Sequence, residues 1–91
     1  MKEGLHKSKS GLIRALVKTD NGRITDVIIS GDYILTPERC IDELEKALIG
    51  TEACREKIFG TLKRFYEQNK FQSPQTYPED FTEALMKAIN A

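Results

Sequence analysis

Ninety-one residues make room for one domain with a modest core, since a chain of this size buries only about 60–65% of its unfolded surface. Fourteen Lys and Arg balance fourteen Asp and Glu, so the basic excess of a nucleic-acid binder is missing. No apolar run approaches the ~20 residues of a membrane span, and the opening MKEGLHKSKS lacks the apolar centre of a signal peptide; a cytoplasmic location is expected.

Residues 4–9 are placed as a first strand that turns near Ser10-Gly11. LIRALVKT (12–19) and ITDVIIS (24–30) are rich in β-branched and apolar residues and flank Asp20-Asn21-Gly22. They predict a hairpin with a three-residue loop and a bulge at Gly22. That register sets Val17 opposite Thr25, Ala15 opposite Val27 and Ile13 opposite Ile29. The other face then carries Leu12, Arg14, Leu16 and Lys18 with Ile24, Asp26, Ile28 and Ser30. A two-residue Asn21-Gly22 turn would flip one strand relative to the other and scramble this sorting. Past a Gly31-Asp32 break, Tyr33-Ile34-Leu35 continue as a short strand or an extended entry to a helix.

Thr36-Pro37 reads as a helix start, threonine as N-cap and proline at the first helical position. Ile41, Leu44 and Leu48 recur at helical spacing, with Cys40 and Ala47 beside them, and Gly50 is a natural stop. Thr51 is expected to cap a second helix with Cys54, Ile58, Leu62 and Phe65 inward, widened by Phe59 and Tyr66. KFQSPQTYP reads as a loop. Pro78 opens a last helix with Phe81, Leu85, Ala88 and Ile89 on its inner face. The result is one α+β domain over residues 1–91. Its small antiparallel sheet of two to three strands (about 4–35) packs against about three helices (about 37–49, 52–68 and 78–90). Val27, Ile29, Leu44, Leu48, Ile58 and Leu62 form the predicted core.

Chemistry-bearing patterns are sparse. Neither a GxxxxGK[ST] phosphate loop nor a GxGxxG after a strand occurs. His6 is the single histidine and has no Ser or Cys nucleophile arranged with it. Cys40 and Cys54 lack CxxC spacing and read as small apolar residues; no metal site is expected. Lys63, Arg64 and Lys70 read as favourable charge near a helix C-terminus. These features describe a binding or accessory module with no catalytic residue of its own.

The run from Gly11 to Gly50, GLIRALVKTDNGRITDVIISGDYILTPERCIDELEKALIG, resembles the C-terminal domain of lipoate–protein ligases. The matching positions are Ile24, Val27, Ile29, Gly31, Asp32, Tyr33, Ile34, Pro37, Ile41, Leu44, Glu45, Leu48 and Gly50. The family's lysine before the first strand is matched best by Lys7 or Lys9, and the later helices fit as well. Tyr33-Ile34 departs from the two phenylalanines usual there. The resemblance implies the separate small subunit of a split ligase, forming a heterodimer with a catalytic subunit that uses lipoate, ATP and Mg. It implies a role in forming lipoyl-adenylate before transfer to a lysine of lipoyl-carrier proteins, which this chain meets only indirectly. It implies neither a nucleic-acid nor a membrane partner. Lys7, Arg14, Asp32 and Tyr33 are the expected interface residues; Gly31, Asp32, Pro37 and Gly50 are the structural motif. A second reading, an iron–sulfur cluster assembly or sulfur-acceptor protein of similar fold, would require clustered sulfur ligands or one exposed, activated Cys.

Overall fold

The computed structural model describes every residue from Met1 to Ala91. Three strands, β1 (Lys2–Ser8), β2 (Gly11–Asp20) and β3 (Arg23–Gly31), form an antiparallel meander in the order β1-β2-β3. Three helices follow: α1 (Cys40–Leu48), α2 (Arg55–Gln68) and α3 (Pro78–Ile89). The expected α+β class is the observed one. Helix α3 lies on β1 and β2, α1 lies on β3, and α2 packs against both helices. Ile13, Ala15, Val17, Ile24, Val27 and Ile29 point into that layer and meet Leu44, Leu48, Ile58, Leu62, Phe65, Phe81, Ala84, Leu85 and Ala88. All six residues predicted for the core are in it.

The hairpin register is a correction. Val17 pairs with Val27, Ala15 with Ile29 and Ile13 with Gly31. The β2–β3 turn is the two-residue Asn21-Gly22 form, with φ of 53° and 76°, which suits a hairpin whose two central residues both need positive φ. Sorting survives because the bulge lies further along. Lys18 pairs with Asp26 and Thr19 with Ile24, so Thr25 is the extra residue, and its hydroxyl donates to Lys18 O at 3.2 Å. Ile24 and Val27 are three apart and would face opposite ways in a regular strand; the bulge turns both inward.

Two helix starts are also later than predicted. Thr36 does not cap α1. It exchanges backbone hydrogen bonds with Gln72, each 2.9 Å, and residues 37–39 form a turn before the helix begins at Cys40. Thr51 does not cap α2, because Gly50–Ala53 runs beside the hairpin tip. Gly50 N donates to Ile24 O, Ile24 N to Thr51 O and Ala53 N to Gly22 O, at 2.8, 2.9 and 2.8 Å. Helix α2 therefore begins at Arg55, with Cys54 at its N-cap position, outside the helix where its apolar stripe had been placed. Ala47, expected beside the α1 stripe, is exposed.

The loop before α3 is held by side chains. Phe71 packs on Phe65 and Tyr66 with ring centroids 5.3 and 4.5 Å apart. Ser73 donates to Thr76 O at 2.7 Å, which leaves the Tyr66 hydroxyl to donate to Ser73 Oγ at 2.9 Å. Burial pushes the Tyr66 phenol up to about 12, so it stays a donor. The buried Thr76 hydroxyl lies 3.0 Å from Ser8 Oγ, and Ser8 donates to Gly11 O at 2.9 Å. This chain ties the loop to the end of β1.

Candidate functional site

His6, Cys40 and Cys54 do not form a reaction centre. His6 Nε2 lies 2.9 Å from Asp80 Oδ1, with Lys87 Nζ 3.5 Å from its other nitrogen, so the ring ties β1 to α3. The cysteines are half-buried, one at the start of α1 and the other before α2. No three His, Cys, Asp or Glu side chains converge where a metal ion could be held. No helix is long and apolar enough to cross a membrane.

The unusual surface is the other face of the sheet. A sheet covered on one side alternates apolar inward with polar outward. Here the outward positions include Leu5, Leu12 and Ile28, which are 46%, 39% and 49% exposed, together with the half-exposed Leu16. Leu16 stands directly opposite Ile28, Leu5 opposite Arg14 and Lys7 opposite Leu12. Arg14 lies among the four apolar side chains and pairs through its guanidinium with Glu3 on the neighbouring strand.

Of the four residues predicted for an interface, Lys7 and Arg14 fall on this face and are exposed. Asp32 stands at its end: its backbone N–H donates to Leu12 O at 2.9 Å, and its carboxylate is exposed. Tyr33 is set apart. Its ring turns into the helix layer and meets Phe81 edge-on, centroids 5.2 Å apart and planes at 87°. Gly31 has φ 145°, and a Cβ there would stand 2.0 Å from Leu12 O, so the Gly-Asp pair lets the chain leave the sheet while hugging β2. Gly50, at φ 85°, follows the end of α1. Pro37 lies in the turn before that helix.

Beside Gly31 a groove of about 630 Å³ is lined by Tyr33, Ile34, Leu35, Thr36, Glu38 and Ile41, with Ser30 and Gly31 at its rim. Ile34, 55% exposed, projects at this groove. Sequence reasoning missed Ile34 as a surface feature, and missed Leu5, Leu16 and Ile28 as site residues. The alternation that makes Leu16 and Ile28 outward was the available signal.

Glu45 of α1 accepts the backbone N–H of Ile29 at 2.7 Å, capping the outer edge of β3. Burial raises its carboxyl above the ordinary 4.5, although the Ile29 hydrogen bond pulls the other way; nearby Asp42 adds to the rise. Burial also raises the Tyr33 phenol, with the Glu45 charge contributing. Because the folded Glu45 holds its proton more tightly than the unfolded one, its contribution to stability is greatest below pH 4.5. That contribution is lost as pH rises through 4.5 toward the folded value. Glu45→Gln keeps an acceptor for Ile29 without the charge. It is expected to raise Tm at pH 7 and to leave it unchanged below pH 4, by thermal unfolding followed across that range; a lower Tm at pH 7 would show that the charged hydrogen bond outweighs burial.

The fold is a three-stranded sheet covered by helices on one face, with an uncovered face that carries apolar side chains. Comparison with known proteins gives the family. Residues 4–85 match the model of the bacterial lipoate protein ligase C-terminus, and the chain belongs to that family. It is 43% identical over 79 residues to lipoate-protein ligase A subunit 2 of Thermoplasma acidophilum, covering 87% of this chain and 81% of that protein. It also matches a chain in the solved structure of a bipartite lipoate protein ligase and its E2 lipoyl domain from the same organism. There the TM-score is 0.83 at 41% identity, over 93% of this chain and 94% of the other. The chain is thus an accessory subunit of a bipartite lipoate–protein ligase, and the iron–sulfur alternative is set aside.

Proposed function

We propose that this chain partners a ligase catalytic subunit in the cytoplasm and enables it to convert lipoate and ATP to lipoyl-adenylate. The observation that carries the reading is the likeness to the bipartite ligase chain, which extends over 93% of these residues. In the first half-reaction the lipoate carboxylate attacks the α-phosphorus of ATP and pyrophosphate leaves. In the second, a lysine amine of a lipoyl-carrier protein attacks the acyl carbonyl and AMP leaves. The acyl-phosphate anhydride formed between them is open to water. A rigid domain that closes over the pocket would exclude solvent and order the substrate loops. In this reading lipoate, ATP and Mg²⁺ are held by the catalytic subunit. The acidic and sulfur side chains here do not fit a metal site, and no step runs through one on this chain.

The test is a pair of assays on the reconstituted subunits. Lipoate-dependent pyrophosphate release should fall to background when this chain is omitted, and the chain alone should give none. Transfer from added lipoyl-adenylate should persist with the catalytic subunit alone. Pyrophosphate release that is the same with and without this chain would overturn the proposal.

A further inference from the structure

We infer that the outer face of the sheet is where the ligase catalytic subunit docks, with Leu5, Leu12, Leu16 and Ile28 as its apolar contacts and Arg14 among them. The inference rests on the accessory-subunit reading above and assigns it a surface. The helices lie on the opposite side of the sheet, so no helix of this chain covers these side chains. Leu5, Leu12 and Ile28 keep 46%, 39% and 49% of their area in contact with solvent.

Composition fits a protein partner. Leu5, Leu12 and Ile28 stand exposed on one face with the half-buried Leu16 beside them, and a contiguous exposed apolar patch rimmed by polar residues is the kind of surface that marks a protein contact. An arginine seated among aliphatic side chains, with lysine and acidic residues around them, is the composition of an interface centre and its rim. The charges are mixed: Lys7, Arg14 and Lys18 are offset by Glu3 and Asp26, and Lys18 stands opposite Asp26. That balance suits a protein surface better than an anionic lipid or a nucleic acid, either of which needs one sign of charge. The Gly31-Asp32 turn sits at the end of the same face, bonded to Leu12, so the motif that marks the family adjoins the proposed contact.

The experiment measures binding of the ligase catalytic subunit from the same organism to the full chain by calorimetry. Ile28→Lys and Leu16→Lys are compared with Lys63→Glu on the exposed side of α2. Circular dichroism and Tm establish that each variant is folded; Ile28, the more exposed of the two, serves if Leu16→Lys does not fold. Each sheet-face variant is expected to weaken binding by at least about thirtyfold, while Lys63→Glu stays within about threefold of the wild type. If the wild type binds and the folded Ile28→Lys variant binds equally well, the docking face is wrong and the accessory reading stands. If the wild type itself does not bind, both fail. If Ile28→Lys instead abolishes a self-association of this chain and leaves catalytic-subunit binding unchanged, the face belongs to a second copy and the inference is overturned.

Discussion

Gly4→Ala is expected to lower the unfolding free energy by about 3 kcal/mol or more. A Cβ built at Gly4 would stand 2.3 Å from both Ala84 O and Ala88 N. Both are backbone atoms of α3, whose inward side chains Phe81, Ala84, Leu85 and Ala88 are completely buried. No side chain can swing aside to make room; either β1 or α3 must move, and each is fixed by its own hydrogen bonds and by the core between them. Gly60→Ala is the counterpart. That glycine lies within α2, where an added Cβ would meet Arg64 Nη1 at 3.7 Å and nothing closer. It should gain about 0.5–1 kcal/mol from helix propensity alone. Urea unfolding of the two variants separates packing from propensity. A Gly4→Ala loss under about 0.5 kcal/mol would mean that β1 does not lie against α3 as described.

Phe81→Ala is expected to cost about 3–5 kcal/mol. Phe81 is 0% exposed and provides the surface against which Tyr33 sets its edge. Its loss opens a cavity between α3 and the sheet and leaves the Gly31–Leu35 segment without its inner anchor. A small domain has about 5–15 kcal/mol in all, so the variant should unfold at markedly lower urea and lose near-ultraviolet tyrosine ellipticity before global unfolding. A cost below about 1 kcal/mol would show that the site collapses to fill the space.

Much of this architecture is legible in the sequence because local patterns and tertiary packing agree. The alternation of Ile13, Ala15 and Val17 marks one face of a strand. Pro78 followed by Phe81, Leu85 and Ala88 marks a helix that the structure begins at the same proline. Failures occur where a distant segment claims a local group. Thr36 has the credentials of an N-cap, but its backbone is taken by Gln72, thirty-six positions away. Thr51 is diverted in the same way by the hairpin tip. A standard two-residue turn with a displaced bulge gives nearly the same inward set as a bulged three-residue loop, differing only in burying Ile24 where the loop register would bury Thr25. Only the three-residue spacing of Ile24 and Val27 hinted at where the extra residue lies. Gly4 left no signal at all, since the need for a missing side chain comes from α3, at the far end of the sequence. For the site, the charged candidates Lys7, Arg14 and Asp32 were visible as surface positions. Leu12, Leu16 and Ile28 were placed on that outer face as well, but they were not read as site residues, because scattered apolar residues on a protein surface are ordinary.

The packing of α3 on β1 also bears on how the chain is made. Strands β1 and β2 find their cover in α3, far along the sequence, so that part of the inner face stays open until residues 78–89 are available. The hairpins and the α1–α2 pair can form from nearby segments, but the contact that closes the core is among the longest in sequence separation. Loop closure over such a span slows folding relative to local pairing. In the meantime the nascent sheet would expose apolar side chains on both faces at once, the outer face by its permanent composition and the inner by delay. The molecule therefore has its greatest exposure to misassociation on the ribosome, before α3 emerges.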